Sequence, residues 1–339
     1  MSPPGALAVG IDVGGTRVKA GLVDPGGTVV ATSGRWTPGR RTGPADVEAV
    51  IVDVARELAA HPLAAGQDVC AIGVGAAGFV DAGRGTVVFA PHLSWRDEPL
   101  QDRLRERLGR PVLVDNDAHA AAWAEHRFGA GVGESHLVVL TLGTGIGGAI
   151  LTNGELQRGR HGLAGEFGHQ QMVPGGRRCE CGNRGCWEQY ASGSVLRREG
   201  QEIVRTGGPH AAALSAACGG DAALLEGVHL TRAARAGDPA SREVMVEVGR
   251  WLGTGLAGVV AALDPGTVVV GGGVSEAGDL LLDPARAALA RHLVGRGHRP
   301  VPQVLAARLG VDAGLVGAAD LARRAAANSP ERSASPTLP

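Results

Sequence analysis

Three cysteines lie within eight residues of the chain, in the pattern C-x-C-G-x-x-G-C formed by Cys179, Cys181 and Cys186. Thiolates at this spacing are typical zinc ligands, and a structural Zn²⁺ takes four nitrogen or sulfur donors. His169, ten residues before Cys179, supplies the fourth donor. Because four protein ligands close the tetrahedral shell, the pattern predicts a structural rather than a catalytic zinc site. Three unrelated structural cysteines are the alternative interpretation.

A glycine turn near the start of the chain is a candidate phosphate-binding element. It contains Asp12, Gly14, Gly15, Thr16 and Arg17, and it follows a short apolar run that predicts a buried strand. Glycines in such a turn let backbone N–H groups approach an anion closely. Asp12, at the strand end, could bind Mg²⁺ directly or through water. A glycine hairpin with a solvated aspartate is the alternative.

Two further glycine clusters follow strand-like segments. Gly143, Thr144 and Gly145 lie in a turn that matches G-x-G-x-x-G, the fingerprint of dinucleotide-binding proteins. That fingerprint requires a helix after the glycines, whereas the residues here predict a strand. The turn therefore indicates a different phosphate-binding arrangement, made of this hairpin and the hairpin that contains the first glycine turn. Gly272 and Gly273 end another strand and leave room for a flat group such as a nucleobase. A tight strand-to-helix turn is the alternative there.

Asn116 and Asp117 stand where a predicted strand ends and a helix begins, the usual position of ligand-binding residues in open α/β sheets. Asp117 could instead cap that helix. Glu166 and Glu188 flank the cysteine pattern in the sequence. Their position indicates that both glutamates line one surface that the metal site holds in place. Solvated surface charges are the alternative.

The hydrophobic pattern predicts an α/β protein in which these residues occupy turns and element ends. The predicted strands are Ala6–Asp12, Arg17–Val23, Thr28–Thr32, Val69–Gly75, Thr86–Ala90, Pro111–Val114, His136–Leu142, Ala149–Thr152, Thr267–Val270 and Val301–Ala306. The predicted helices are Pro44–Ala60, Glu98–Leu108, Ala118–Phe128, Ser241–Leu263, Asp279–His292 and Leu315–Ala326. The hairpin with a glycine turn recurs about 130 residues after its first occurrence, which indicates two related halves. The Ser- and Pro-rich residues 328–339 predict a disordered tail.

The composition excludes several classes of function. With a net charge of −1 and 3% aromatic residues, the chain lacks the basic surface and the stacking rings of nucleic-acid-binding proteins. No uninterrupted apolar run reaches the ~18 residues of a transmembrane helix, and the first residues do not resemble a signal peptide. Five cysteines, an odd number, make a poor disulfide framework. We therefore expect a cytoplasmic protein without nucleic-acid or membrane partners.

Taken together, the motifs resemble those of the ROK family (repressor, open reading frame, kinase) of the actin-like ATPase superfamily, and within it the ATP-dependent glucokinases of actinobacteria. The segments that carry the resemblance are Asp12–Lys19, Phe89–Leu100, Val114–Ala122, Thr141–Gly148, Glu166–His169, Cys179–Ser192 and Val270–Ser275. The resemblance implies a two-lobed, actin-like (ribonuclease H-like) α/β fold with a structural zinc knuckle. It places the small lobe at residues 1–117, with a C-terminal helix of about 313–327 packed on it. The large lobe, residues 118–312, would carry the zinc knuckle and nucleotide-binding elements.

The resemblance also implies an activity, the phosphorylation of the primary (C6) hydroxyl of a hexose by Mg²⁺–ATP, with glucose as the expected substrate. Asp117 is then the general base, and Asn116 binds a sugar hydroxyl. Further sugar contacts are expected from His92, Glu166, His169 and Glu188, so that His169 would serve both the zinc and the sugar. ATP and Mg²⁺ are expected at Asp12, Gly14, Gly15, Thr16, Arg17, Gly143, Thr144, Gly145, Gly272 and Gly273. A homodimer or a higher homo-oligomer is the family default.

Three positions depart from the pattern that the family usually shows. His92 and His119 stand where asparagines are usual, and Asp115 stands where a glutamate is usual. A bulkier, titratable ring at His92 would change the sugar site. Mannose, fructose, an N-acetylhexosamine or a C7 cyclitol of the valiolone type are therefore alternative acceptors, and neutral variation is the other interpretation.

Other classes related to the family fit the sequence less well. A sugar-responsive repressor carries a DNA-binding domain before the first glycine turn, which here begins at Asp12, and polyphosphate-dependent glucokinases generally lack the cysteine knuckle. A pseudokinase is disfavoured because Asp12, Asn116 and Asp117 are all present. The chain has a single lysine, Lys19, but the resemblance places the cation nearest the phosphates at Arg17.

Overall fold

The structure, a computed structural model, describes residues 6–64 and 69–328. These residues contain two five-stranded sheets and one three-stranded sheet. The chain forms two units. Of the described residues, the first unit contains those up to Val132, the segment Leu156–Ala164 and those from Asp312 to Asn328; the second contains Gly133–Glu155 and Gly165–Val311. The predicted disordered tail lies, apart from Asn328, outside the described residues.

The helices and strands of the described residues follow one another along the chain as a mixed α/β pattern. In chain order they are β1 (Leu7–Val13), β2 (Arg17–Val23), β3 (Val29–Trp36), α1 (Pro44–Ala59), β4 (Val69–Ala76), β5 (Phe79–Val80), β6 (Val87–Phe89), β7 (Arg96–Glu98), α2 (Leu100–Leu108), β8 (Val112–Asn116), α3 (Asp117–Phe128), β9 (His136–Leu142), β10 (Ile146–Thr152), β11 (Glu155–Leu156), α4 (Glu188–Ala191), α5 (Gly193–Thr206), α6 (Ala212–Ala217), α7 (Gly227–Ala236), α8 (Pro239–Leu263), β12 (Thr267–Gly271), α9 (Asp279–His292), β13 (Gln303–Ala306) and α10 (Ala313–Ala327).

The first sheet lies in the first unit and has the strand order β3-β2-β1-β4-β8. β1 is antiparallel to β2 and parallel to β4, and β4 is parallel to β8. The register places Asp12 beside Gly75, and Gly75 beside Asp115. Because the carboxyl ends of parallel strands meet at one edge of a sheet, Asp12 and Asn116 lie on the same edge, where ligands bind in open α/β sheets.

The second sheet lies in the second unit, apart from Leu156 at the end of β11, and repeats this topology in the order β11-β10-β9-β12-β13. β9 and β10 form an antiparallel hairpin, and β12 runs parallel to both β9 and β13. The buried side chains of these strands form one core with those of α5, α7, α8 and α9. The equal strand order confirms the two related halves that the recurring hairpin predicted.

Helix α8 is long and apolar enough, by length and composition, to cross a membrane, since its most apolar 18 residues have a mean hydropathy of 1.3. Glu247 and Arg250 interrupt its apolar run in the sequence. More than half of that stretch is buried inside the protein, where Val248, Leu252 and Leu256 pack in the core of the second unit. The helix is therefore a core helix of this unit, and within residues 6–64 and 69–328 no other helix passes the same test.

The structure confirms most of the predicted elements and moves some of their ends. β3 continues to Trp36 instead of ending at Thr32, because its last residues still pair with β2. The helix predicted from Glu98 begins at Leu100, because Arg96–Glu98 is a strand that pairs with β6. Helix α3, expected in the large lobe, belongs to the first unit because it packs along α10, so the boundary falls after Val132 and not at residue 117.

Helix α10 rests directly on the backbone of the first sheet. A methyl group on Gly10 of β1 would overlap the carbonyl group of Leu315, and one on Gly73 of β4 would overlap that of Ala318. Glycine is therefore required at these two positions by the close approach of the helix, and not by the backbone conformation of the strands.

We predict that Gly73→Ala destabilises the protein, because α10 must move away from the sheet to admit the methyl group. Overpacking of this kind costs about 1–3 kcal/mol. The urea midpoint of unfolding, measured by circular dichroism, should fall in this variant. The matched control is Gly39→Ala, since a methyl group at that glycine meets no atom within 4 Å. Equal midpoints for the two variants would contradict the assigned packing.

Candidate functional site

Asp12 lies near the end of β1, opposite Lys19 of β2. Burial raises the pKa of the Asp12 carboxyl, and the charge of Lys19 opposes that rise. The first turn of α10 adjoins the carboxylate, because a methyl group on Gly314 would lie 2.9 Å from its Cγ. One carboxylate held in this way fits Mg²⁺, which proteins bind through one or two carboxylates together with phosphate oxygens.

The glycine turn after Asp12 is tied to the end of β3. Within the turn, the N–H of Gly14 donates to the carbonyl of Arg17 at 3.0 Å. From outside, Thr37 donates its hydroxyl to the carbonyl of Gly14 at 2.8 Å and its N–H to that of Thr16 at 3.0 Å. Gly15 and Thr16 are exposed. The turn is therefore fixed on one side and open to solvent on the other.

The two cations of this hairpin have different surroundings. The guanidinium of Arg17 lies over the ring of Trp36, 4.8 Å from its centroid. Lys19, in contrast, faces Asp12 across the strand pair. The sequence left the role of Lys19 open, and the structure gives it an electrostatic partner at the strand end.

His92 contacts the same glycine turn within the first unit. A methyl group on Gly15 would lie 2.8 Å from Cβ and 3.4 Å from Cγ of His92. The side chain is exposed. An imidazole therefore adjoins the turn that the sequence marks as a phosphate-binding candidate.

Asn116, and not Asp117, caps helix α3. Its Oδ1 accepts the backbone N–H of His119 at 3.0 Å, and its Nδ2 donates to the carbonyl of Gly78 at 3.0 Å. Asp117 is the first residue of the helix, and its Oδ1 accepts the N–H of Ala118 at 2.9 Å. The alternative interpretation of Asp117 as the cap is wrong. Its carboxylate stands at the positive end of the helix dipole.

The second and third glycine clusters border one cavity in the second unit. The N–H of Gly193 donates to the carbonyl of Gly143 at 2.8 Å, and the hydroxyl of Ser194 donates to that of Thr144 at 2.7 Å, so α5 holds the turn. Together with Gly273, these residues line a cavity of about 420 Å³. Two predicted residues do not line it, Gly145 and Gly272.

The sequence did not mark several further side chains that line this cavity. They are Leu196, Arg197, Glu226, Val228, Thr231 and Glu276. They lie on α5, on and before α7, and on the turn after β12, so they are far apart in the chain and belong to no short motif. Leu196 and Val228 give the cavity apolar walls, and the hydroxyl of Thr231 and the carboxylates of Glu226 and Glu276 give it polar groups that could bind hydroxyls of a ligand.

The four predicted zinc ligands come together in the second unit. One donor atom each from His169, Cys179, Cys181 and Cys186 lies within 4.8 Å of the other three. The distance from Sγ of Cys181 to Sγ of Cys186 is 3.6 Å, and that from Sγ of Cys179 to Nδ1 of His169 is also 3.6 Å. A tetrahedron with Zn–S bonds of ~2.3 Å has edges of about 3.7 Å. The donor set and its spacing therefore fit Zn²⁺.

Glu188 lies between this cluster and the second glycine turn. Its Oε1 accepts a hydrogen bond from Sγ of Cys179 at 3.0 Å and lies 3.7 Å from Nδ1 of His169. Its Oε2 occupies the space that a side chain on Gly145 would need. Burial, and then the hydrogen bond to Glu188, raise the pKa of the Cys179 thiol, and a divalent cation would favour the thiolate. The Glu188 carboxylate thus lies directly beside Gly145 of the second glycine turn.

His169 presents its two ring nitrogens to different partners. Nδ1 faces Cys179, whereas Nε2 lies 4.0 Å from a carboxylate oxygen of Glu166. Both side chains are partly exposed, 28% for His169 and 37% for Glu166. One nitrogen is therefore directed to the metal-ligating cluster while the other remains accessible beside a carboxylate, as the double role implied by the resemblance requires.

The chain belongs to the ROK family, which matches residues 8–325. It is 46% identical to the glucokinase of Streptomyces coelicolor over 317 residues, which are 94% of this chain and 98% of that protein. It is 35% identical to the glucokinase of Thermotoga maritima, over 94% of this chain and 98% of that protein. The crystal structure of a ROK family glucokinase from Streptomyces griseus, in complex with glucose and AMPPNP, matches with a TM-score of 0.86 and 47% identity, covering 94% of this chain and 100% of that chain.

These comparisons confirm the predicted family and the actin-like ATPase fold. They also confirm the enzyme class, an ATP-dependent sugar kinase.

We predict that the purified protein contains about one zinc ion per chain and that Cys181→Ser lowers this content, because three ligands leave the tetrahedral shell open. Metal analysis of the dialysed protein measures the zinc content per chain. The control variant is Cys218→Ala, since Cys218 is buried outside the cluster and donates its thiol to the carbonyl of Ser215. A wild-type protein without zinc, or equal zinc in both variants, would contradict the site.

Proposed function

We propose that this enzyme is a glucokinase, which transfers the γ-phosphoryl group of ATP to the C6 hydroxyl of glucose. The observation that carries the proposal is the shared edge of the first sheet, where Asp12 and its glycine turn lie at the end of β1, and Asn116 and Asp117 lie at the end of β8. The activity of the relatives supports it, because glucokinases 46% identical to the chain cover 94% of it.

In this proposal Asp117 is the general base. Its carboxylate would accept the proton of the C6 hydroxyl while the hydroxyl oxygen forms its bond to the γ-phosphorus and ADP leaves. Asn116 uses one amide N–H for the carbonyl of Gly78, and its second N–H would donate to a sugar hydroxyl. Glu166, Glu188 and Nε2 of His169 would bind other hydroxyls of the sugar, as the resemblance implies.

ATP would be held by the two glycine turns. Backbone N–H groups of Gly14–Arg17 and of Gly143–Gly145 would bind its phosphates, and the cavity lined by Thr144 and Gly273 would take the nucleoside. Asp12 would hold Mg²⁺, whose charge neutralises the β- and γ-phosphate oxygens. Most of the rate enhancement then comes from positioning and electrostatic stabilisation.

A structural Zn²⁺ would be held by His169, Cys179, Cys181 and Cys186. The ion would fix the orientation of the His169 ring, and with it the direction of Nε2. Zinc here therefore serves the sugar site by holding its ligands and takes no part in phosphoryl transfer.

A kinase with the same mechanism and another acceptor is the second candidate. The observation that favours it is the bulkier ring of His92, at a position where the family usually has asparagine, beside Gly15 of the first glycine turn. Mannose, fructose, N-acetylhexosamines and valiolone-type cyclitols are the acceptors to compare with glucose. The homodimer and the cytoplasmic location stay predictions.

An acceptor screen with ATP tests the substrate, with glucose, mannose, fructose, N-acetylhexosamines and a valiolone-type cyclitol measured side by side by ADP release. We expect the highest kcat/KM for glucose. A higher value for another acceptor would replace glucose in the proposal. Phosphorylation of none of them would refute the activity.

We predict that Asp117→Ala lowers kcat by about 10²–10⁴-fold, the usual contribution of a general base, while ATP affinity stays unchanged. Steady-state kinetics and ATP binding by calorimetry measure the two quantities. The control is Asp102→Ala, since Asp102 lies on α2 with its side chain 82% exposed. Normal turnover in Asp117→Ala would refute the assignment of Asp117 as the general base.

Removal of zinc by a chelator should raise the KM for the sugar, on the order of 10-fold, because His169 and Glu188 lose their fixed orientation. The KM for ATP should change little, and added Zn²⁺ should restore the sugar KM. An unchanged sugar KM after verified zinc loss would refute this role.

A further inference from the structure

In the first unit, Arg158 forms an ion pair with the buried carboxylate of Asp115, the residue that precedes Asn116 and Asp117 in the chain. Nη2 of Arg158 donates to Oδ2 of Asp115 at 2.5 Å, and Nε donates to both carboxylate oxygens at 3.1 and 3.3 Å. The side chain of Asp115 is 3% exposed and that of Arg158 is 19% exposed. A paired fork of this kind fixes geometry more strictly than a single charged contact.

Arg158 belongs to a short segment, Leu156–Ala164, that we call the strap. The strap groups with the first unit although the chain on both sides of it belongs to the second. Its two ends are tied together, since the N–H of Ala164 donates to the carbonyl of Arg158 at 3.0 Å. It is also packed closely, because Gly162 lies against the backbone of Val80 and Asp81.

His119 joins the strap to the same carboxylate. Its Nδ1 lies 3.3 Å from Oδ1 of Asp115, and its Nε2 lies 3.1 Å from the carbonyl oxygen of Ala164. The residue is 3% exposed. Asp115, His119, Arg158 and the carbonyl of Ala164 thus form one hydrogen-bonded network around the buried Asp115 carboxylate.

The network also forms hydrogen bonds with backbone groups on either side of Asp117. Oδ1 of Asp115 accepts the N–H of Asn116 at 2.9 Å, and the N–H of His119 is bound by the Asn116 side chain. Burial raises the pKa of Asp115, but hydrogen bonds from His119 and Arg158 and the charge of Arg158 lower it below its ordinary value. The carboxylate is therefore charged at neutral pH, and loss of Arg158 would leave a buried charge without its main partner.

We infer that Arg158, through Asp115 and with His119, is a positioning residue for Asn116 and Asp117. The inference rests on the proposed function in one respect, the role of Asp117 as base. Arg158 itself touches no reacting atom.

The decisive variant is Arg158→Ala, tested in the full-length protein with and without added guanidinium ion below denaturing concentrations. Without guanidinium, kcat should fall about 10²-fold, the cost of an ~1 Å misplacement of catalytic groups. The affinity for ATP should stay within twofold. Guanidinium should restore part of kcat by occupying the vacated fork site, and methylammonium should restore less. Loss of kcat without rescue, or an unchanged kcat, would overturn the inference.

A second measurement does not depend on kinase activity. Hydrogen–deuterium exchange over residues 112–120 should rise in Arg158→Ala and fall again with guanidinium. If the protein phosphorylates no sugar but shows this exchange pattern, the positioning network stands and the proposed function fails. Unchanged exchange over these residues would overturn the network whatever the activity.

Two further variants cover the case in which Arg158→Ala does not fold. Arg158→Lys keeps the charge and loses the fork, so kcat should fall without guanidinium rescue. The matched control is Arg323→Ala, since Arg323 forms an ion pair at 2.8 Å with Asp320 in the same unit and is similarly buried, 12% exposed. Its kcat per folded molecule should not respond to guanidinium. A full kcat in Arg158→Lys, or an equal guanidinium response in the control, would overturn the inference.

Discussion

The contact between α10 and the first sheet supports both Asp12, the proposed Mg²⁺ ligand, and Asp117, the proposed base. Because Gly10 and Gly73 carry no side chain, the helix rests on strand backbone. Its first turn then reaches Asp12, while its other side packs along α3, which begins at Asp117. Carboxylates that must act together need their supporting elements fixed to within a fraction of an ångström. Direct backbone contact achieves this better than a layer of flexible side chains would.

The second unit uses a polar connection for a comparable purpose. Glu188 contacts Cys179 in the zinc-ligand cluster and fills the space beside Gly145 in the second glycine turn. That turn is held in addition by the start of α5, through Gly193 and Ser194. The metal-ligating loop, a proposed sugar ligand and a proposed phosphate turn are therefore in direct contact.

Several differences between the sequence prediction and the structure have one physical origin. Asn116 and Asp117 both suit a helix cap, and the choice of Asn116 depends on the carbonyl of Gly78, 38 residues earlier in the chain. Gly145 fits a phosphate turn by its pattern, but its neighbour Glu188 is distant in sequence. Partners that lie far apart in the chain leave no trace in a local motif, so the sequence could not distinguish these alternatives.

The sequence by itself determined the strand and helix order, the glycine turns, the zinc-ligand set and the family, because each of these depends on residues close together in the chain. Hydrophobic period, turn residues and ligand spacing act over a few residues, and each is written directly in the chain. Only the tertiary structure decided that α3 joins the first unit, that Arg158 from the strap pairs with Asp115, and that six side chains outside any motif line the cavity. These contacts depend on packing and buried charge between segments distant in the chain, and their geometry exists only once the sheets and α10 have come together.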